Sequence, residues 1–303
     1  MQADAFEPPG PAGVAAARAL LAPWRAWTDP RIDGYANLPA DGRYLLVGNH
    51  TTLGVFDVPF VVLGIYDETG VLVRSLGDRQ HFRVPLWRAV LARFGTVDGS
   101  RENARRLMRA GEAVLVFPGG GREVSRRRGD YYPLVWRERI GFARLALEHG
   151  YPVVPFAMVG VDDMWDVVAD ADDAIYAPVR ALARRADIDP ELLPPLVRGL
   201  GPTPLPRPQR IYARIGAPID ARAFGCSWAD GDAAAALRDA VRSAVAKAIE
   251  ELLAEREDDA ARRLLPRLGG RARRLTVARA AALRALLSPR PGPRSAAPGS
   301  QRE

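Results

Sequence analysis

Residues 43–57 read RYLLVGNHTTLGVFD. RYLLVG (Arg43 to Gly48) is a short apolar run, the pattern of a buried strand. His50 stands where that strand ends, and Asp57 follows seven residues later. Val58 to Asp67 then opens a helical pattern. The unit is strand, polar loop, helix, and whether the chain repeats it decides the fold.

It does repeat. GVLVRS (Gly70 to Ser75), EAVLVF (Glu112 to Phe117), PVVPFAMV (Pro152 to Val159) and QRIYARIG (Gln209 to Gly216) read as strands. Val84 to Phe94, Arg101 to Arg109 behind a Ser100 N-cap, and Asp232 to Arg256 read as helices. Trp136 to His149 reads as a long helix closed by Gly150, with Pro152 beyond it. This alternation predicts an α/β fold: a single domain with a largely parallel central sheet flanked by helices. Sites in such sheets lie beyond the carboxyl ends of strands. His50 and the glycines after Phe117 both fall there.

Around that core, residues 1–12 are polar and rich in Pro and Gly, so disorder is expected. Residues 13–257 are assigned to the folded domain, with the motifs confined to 43–249. Within it, Val14 to Trp27 suits an interfacial helix or one packed on the core, with Pro23 expected to kink or end it. The proline-rich Leu192 to Pro208 is expected to be an irregular surface loop. Residues 258–303 form a basic tail, partly helical and then disordered.

The 303-residue chain carries a formal net charge of +7, but the charge is not evenly spread. Ala260 to Glu303 holds 11 arginines and one acid, so the remainder is slightly acidic. In the tail, Leu275, Ala278, Ala282 and Leu286 share one helical face. That modestly amphipathic, basic segment suits an anionic membrane surface. It lacks aromatic residues between its charges, and no nucleic-acid motif is present, so nucleic acid is not an expected partner. A single cysteine, Cys226, excludes an internal disulfide and fits a reducing compartment. No Cys/His cluster has metal-ligand spacing, so no metal site is expected. No run approaches the roughly 18 to 20 apolar residues of a membrane span. There is no basic-then-apolar signal sequence either. The expected location is cytoplasmic, peripheral on the inner face of the cell membrane.

Three stretches carry potential chemistry. His50 with Asp57 has the residue types of a general base and its orienting carboxylate. On one continuous helix the two would lie about 10 Å apart along the axis, too far to bond. Gly54, after Thr51 and Thr52, permits a turn instead. Taken alone, the pair reads more readily as a strand-end histidine and a helix N-cap aspartate. VFPGGGRE (Val116 to Glu123) puts Gly119, Gly120 and Gly121 after a strand, where bare backbone N–H groups approach an anion closely. Arg122 adds a planar fork of donors; a tight turn with a surface Arg122–Glu123 pair is the plainer reading. FGTVDGSREN (Phe94 to Asn103) sets Arg101 at a helix start, a place for an anion or simply a solvated side chain. His81 and His149 read as structural.

In this order, the three stretches resemble the glycerolipid and lysophospholipid acyltransferase superfamily, over roughly Arg43 to Ile249. That family carries Asn-His-x4-Asp, a Gly…Arg block, Phe-Pro-Glu-Gly-x-Arg and a Val-Pro-x-x-Pro-like strand. The matching residues are Asn49-His50…Asp57, Gly95…Arg101, Phe117-Pro118-Gly119-Gly120-Gly121-Arg122 and Pro152-Val153-Val154-Pro155. Two departures stand out. Six residues separate His50 from Asp57, and Gly119 replaces the glutamate, with Glu123 after the arginine instead. FPGGGRE looks like the diacylglycerol acyltransferase-like branch, which tends to esterify neutral lipid alcohols.

The resemblance implies a fatty acyl transfer from acyl-CoA or acyl carrier protein to the hydroxyl of a lipid acceptor. The acceptor class spans lysophospholipids, acylglycerols and lipid alcohols. By the same resemblance His50 is the general base and Asp57 orients it. Asn49, Arg101, Gly119, Gly120, Gly121, Arg122 and Glu123 line the substrates, with no cofactor and no metal. The rival readings are an acyl thioesterase using the same two residues and a catalytically degenerate lipid-binding protein. The absence of a Gly-x-Ser-x-Gly elbow removes the commonest hydrolase design.

Overall fold

The computed structural model describes residues 6–78, 82, 85–225 and 227–268 of the chain. His81, Cys226 and the apolar stripe of the tail lie outside the described residues. In chain order the elements are α1 (Pro11–Thr28), β1 (Arg31–Asp33), β2 (Leu45–Gly48), α2 (Val58–Thr69), β3 (Arg74–Gly77) and α3 (Pro85–Arg93). Next come β4 (Val97–Asp98), α4 (Arg101–Arg109), β5 (Val114–Val116), α5 (Gly121–Val124), α6 (Gly141–His149) and β6 (Val153–Val159). The last are β7 (Asp166–Ala169), α7 (Ala177–Arg185), β8 (Leu196–Arg198), β9 (Tyr212–Ile215) and α8 (Gly231–Asp258).

Seven strands form one sheet in the order β1-β9-β6-β2-β5-β3-β4. Every pairing is parallel except β6 with β9, which is antiparallel. β2 lies near the centre, with Val47 opposite Val116 of β5 on one side and Pro155 of β6 on the other. All four β2 residues are buried, as the unbroken apolar run requires.

The period of two then divides the core. Leu45 and Val47 of β2 face Leu237, Val241 and Val245 of α8, with Leu107 of α4 and Phe142 of α6 in the same cluster. Leu46, between them, faces Val61, Val62 and Ile65 of α2 on the opposite side. The result is three layers, helices over both faces of a sheet.

Several local expectations shift. Pro23 lies inside α1 rather than ending it; the helix is held by burying Val14 and Ala17 and by Trp24 and Leu21 packing toward α2. β3 starts only at Arg74, whose fully buried guanidinium donates to Gly95 O, Phe6 O and Glu112 Oε2. That contact also places Phe6, over which the Arg106 guanidinium stacks at 3.8 Å. So residues 6–12, in the stretch expected to be disordered, have defined partners and start α1 at Pro11. α6 begins at Gly141, not Trp136, because Arg137 takes a left-handed conformation (φ 48°) that a helix cannot contain. The proline-rich loop contains β8, which pairs antiparallel with β7 in a small second sheet.

α8 lies along β6 on the face opposite α2, and Leu237 is fully buried at their contact. Leu237→Ala is expected to cost about 2–5 kcal/mol in urea unfolding. Leu20→Ala on α1, where the side chain is 69% exposed, should stay within about 0.5 kcal/mol.

Candidate functional site

His50 leaves the carboxyl end of β2 beside the turn that follows β5. The strand end is pinned by Asn49, whose amide donates to Met158 O (2.9 Å) and accepts from Met158 N (2.8 Å). Asn49 is itself buried, and its side chain extends the β2–β6 ladder. The half-buried imidazole of His50 stacks on the Phe117 ring, with centroids 4.0 Å apart and planes 13° apart.

On its other side the chain folds back at Gly54. A Cβ there would stand 2.6 Å from Cε1 and 2.9 Å from Nε2 of the imidazole, and φ is +63°. The close approach to the imidazole demands glycine at position 54, and the left-handed backbone suits it. Residues 51–57 are therefore a turn, and α2 starts only after Asp57.

Asp57 is fully buried at the N-cap of α2. Oδ2 accepts from the Thr51 hydroxyl at 2.7 Å, and Oδ1 accepts from Val58 N at 2.9 Å. Burial pushes its carboxyl up to about 6, against the pull of those donors. The direct partners shown for Asp57 are Thr51 and Val58. It thus acts on the loop that carries His50.

Glu123 is 1% exposed. Its Oε2 accepts from His50 N at 2.8 Å, and its Oε1 accepts from Val135 N at 2.9 Å. Burial pushes its carboxyl up to about 8, while the two backbone N–H groups and Arg139 pull it down. Both oxygens of this buried group are thus engaged by backbone amides.

The glycines Gly119, Gly120 and Gly121 make the turn from β5 into α5, beside His50. Arg139 spans that turn, donating to Pro118 O at 2.7 Å and Gly119 O at 2.9 Å. Burial, then the neighbouring Arg122 and Arg137, hold its guanidinium below the ordinary arginine value. Arg122 pairs with Glu191 at 2.5 Å and Asp189 at 3.6 Å, and Arg137 reaches the same Glu191 at 3.6 Å. Three guanidiniums thus gather at the rim of the glycine turn.

Arg101 is exposed in the first turn of α4, after β4. It lies at the same end of the sheet as His50 but three strands away, about 14 Å at 4.8 Å per strand. His50, Asp57, the glycine turn and Glu123 come together, while Arg101 stands at the edge of the site.

Two partners of the site were not singled out from sequence. Asp162 is buried and accepts from Thr52 N and Thr52 Oγ1 through Oδ1, and from Tyr132 N through Oδ2. Arg126, also buried, donates to Asp162 O and Trp165 O. Asp162 closely follows β6, the strand beside β2, and that position was the available signal. Among the described residues no three His, Cys, Asp or Glu side chains group as a metal site. Nor is any helix among them long and apolar enough to cross a membrane.

Comparison with known proteins bears on the family and the fold. A family model described as acyltransferase matches residues 29–159. The Arabidopsis thaliana protein named phytyl ester synthase 2, chloroplastic, is 32% identical over 258 residues, covering 76% of this chain and 35% of that protein. The Homo sapiens protein named DGAT1/2-independent enzyme synthesizing storage lipids is 28% identical over 129 residues, covering 43% of this chain and 39% of that protein. The chain spans about a third of the length of the phytyl ester synthases it matches. Among solved structures, the 1-acyl-sn-glycerophosphate acyltransferase of Thermotoga maritima superposes with a TM-score of 0.51 at 16% identity. That match covers 80% of this chain and 79% of that one, and supports the fold.

The buried carboxyls make stability depend on pH. Glu123 binds its proton more tightly folded (about 8) than unfolded (4.5), so its contribution is complete below 4.5 and lost as pH rises through 8. Urea unfolding free energies should fall across that window, by at most about 1.4 kcal/mol per pH unit for one proton. Glu123→Gln should flatten the decline between pH 6 and 8, leaving the part due to Asp57 below 6.

Proposed function

This chain belongs to the glycerolipid and lysophospholipid acyltransferase superfamily, and on that premise we propose that it moves a fatty acyl group from a thioester to a lipid hydroxyl. The single observation carrying the proposal is the half-buried imidazole of His50, clamped between Phe117 and Gly54 beside the glycine turn.

In this reading, His50 takes the proton of the acceptor hydroxyl. The alkoxide oxygen forms a bond to the thioester carbonyl carbon, giving a tetrahedral intermediate. That intermediate collapses by breaking the carbon–sulfur bond. The thiolate leaves and recovers the proton from the imidazolium. Acyl-CoA and acyl-carrier protein are the donor classes that fit, and no acyl-enzyme is needed. Asp57, ionised above about 6, holds the 51–57 turn and favours the imidazolium electrostatically. The backbone of Gly119 to Gly121 supports the developing oxyanion. Arg122, with Arg137 and Arg139, suits the phosphates of the donor. Arg101, at the sheet edge, suits a distal charge on either substrate.

The acceptor we favour is a neutral lipid alcohol. Gly119 stands where the family carries a glutamate, and relatives include proteins named as phytyl ester synthases. A lipid acceptor is met at a membrane surface. Exposed Val179 and Leu182 on α7, with exposed Ile175 in the turn just before it, suit such a contact.

The test is transfer from radiolabelled palmitoyl-CoA into a panel of lysophosphatidic acid, other lysophospholipids, mono- and diacylglycerol, phytol and a saturated long-chain alcohol. A labelled ester is expected with the neutral alcohols, reduced by about 10²- to 10⁴-fold in His50→Ala. An unchanged rate in a folded His50→Ala protein refutes the assignment of the base. Release of free fatty acid at a rate unaffected by acceptor means hydrolysis, not transfer. Gly54→Ala, which drives a methyl into the imidazole, should lower kcat by about 10²-fold. Steady-state kinetics on the same ester product reads that effect.

A further inference from the structure

The carboxyl group of Glu123 fills the space that a side chain at position 119 would need. A Cβ on Gly119 would lie 2.0 Å from Glu123 Cδ and 2.2 Å from Oε1. From that spot the two carboxyl oxygens reach in different directions, to His50 N at 2.8 Å and to Val135 N at 2.9 Å. One buried group therefore joins the end of β2, the turn after β5 and the segment around Val135. The Glu123 side chain is 1% exposed, so no substrate touches it.

We propose that Glu123 is the positioning residue for His50, and that it holds this place only because position 119 carries no side chain. The inference rests on the reading of His50 as the base. The bond from His50 N fixes the peptide plane of His50 and with it the Cα–Cβ direction. That direction keeps the imidazole on the Phe117 ring. A displacement of about 1 Å at a reacting group can cost about 10²-fold in rate. Gly119 and Glu123 are then one device with two parts: a side chain at 119 and the carboxyl of 123 compete for a single volume. The same reasoning removes Glu123 from the substrate-lining set and explains why an acid four residues later accompanies a glycine at 119.

A double-mutant cycle tests this: Gly119→Ala, Glu123→Ala and the two combined, with Glu123→Gln and His50→Ala alongside. Three readouts apply to each. The first is kcat and KM for acyl transfer to whichever acceptor the panel identifies. The second is thermal stability. The third is the His50 amide proton shift in protein labelled with ¹⁵N-histidine. The chain has three histidines, and the His50 signal is the one missing in His50→Ala.

Glu123→Ala and Gly119→Ala should each lower kcat by about 10²-fold, with KM little changed. Each should also move the His50 amide upfield, as a bond to a carboxyl is lost. The combined variant should be no slower than Glu123→Ala, since the methyl at 119 then has nothing to displace. Glu123→Gln keeps one acceptor oxygen and should fall between wild type and Glu123→Ala, and it serves if the alanine variant does not fold. Wild-type kcat in Glu123→Ala, multiplicative losses in the combined variant, or an unmoved His50 amide would each overturn the proposal while leaving His50 as base. Full activity in His50→Ala would instead remove the base itself, and the positioning role with it.

Discussion

A loop that leaves the middle of a parallel sheet and stays buried must find partners for its own peptide groups. The loop after β2 meets that constraint with three buried carboxyl groups. Asn49, Thr51, Thr52 and Asp57 are all essentially inaccessible. Glu123 accepts from the His50 peptide, Asp162 from the Thr52 peptide and hydroxyl, and Asp57 from Val58 N and the Thr51 hydroxyl. Each carboxyl comes from a different part of the chain, so the loop is tied to β5, to the end of β6 and to the start of α2. Burying three acids is expensive, and it raises the proton affinity of Asp57 and Glu123. The return is a loop with one geometry.

Of the polar side chains from Asn49 to Asp57, the one that reaches solvent is the partly exposed imidazole of His50. The flat ring of Phe117 supports one face, and the bare Cα of Gly54 closes over the other. Around the rim the chemistry changes character. Arg122, Arg137 and Arg139 crowd the glycine turn and are partly offset by Glu191. Inside, backbone donors meet neutral or negative side chains; at the rim, positive side chains gather. The proposed transfer would use that division, with the phosphates of a thioester donor at the rim.

The two departures from the family pattern have physical accounts in this fold. Two extra residues between His50 and Asp57 are taken up by consecutive left-handed residues, Leu53 and Gly54, which turn the chain back over the imidazole. The glutamate missing at 119 is matched by a carboxyl from 123 standing against the Gly119 Cα. In the first case the backbone absorbs the change, in the second a carboxyl from another position does, and the end of β2 is held in both.

The strand–helix alternation, the parallel sheet and the placement of His50 beyond a strand end were legible in the sequence, because burial on both faces leaves unbroken apolar runs that only a central strand explains. The Ser100 and Gly150 caps were legible for the same local reason: they serve backbone groups a few residues away. The roles of Glu123, Asn49 and Asp162 were not. Each meets backbone or side-chain groups distant in sequence, and a spacing pattern carries no information about such partners. Arg137 broke the long helix expected from Trp136, since its backbone is left-handed (φ 48°), a conformation that no local sequence pattern announces for an arginine. The sequence by itself determined which residues stand at the ends of the strands; only the tertiary structure decided which of them reach solvent and which are engaged by the protein, because hydrogen-bond partners across the sheet are assigned by folding.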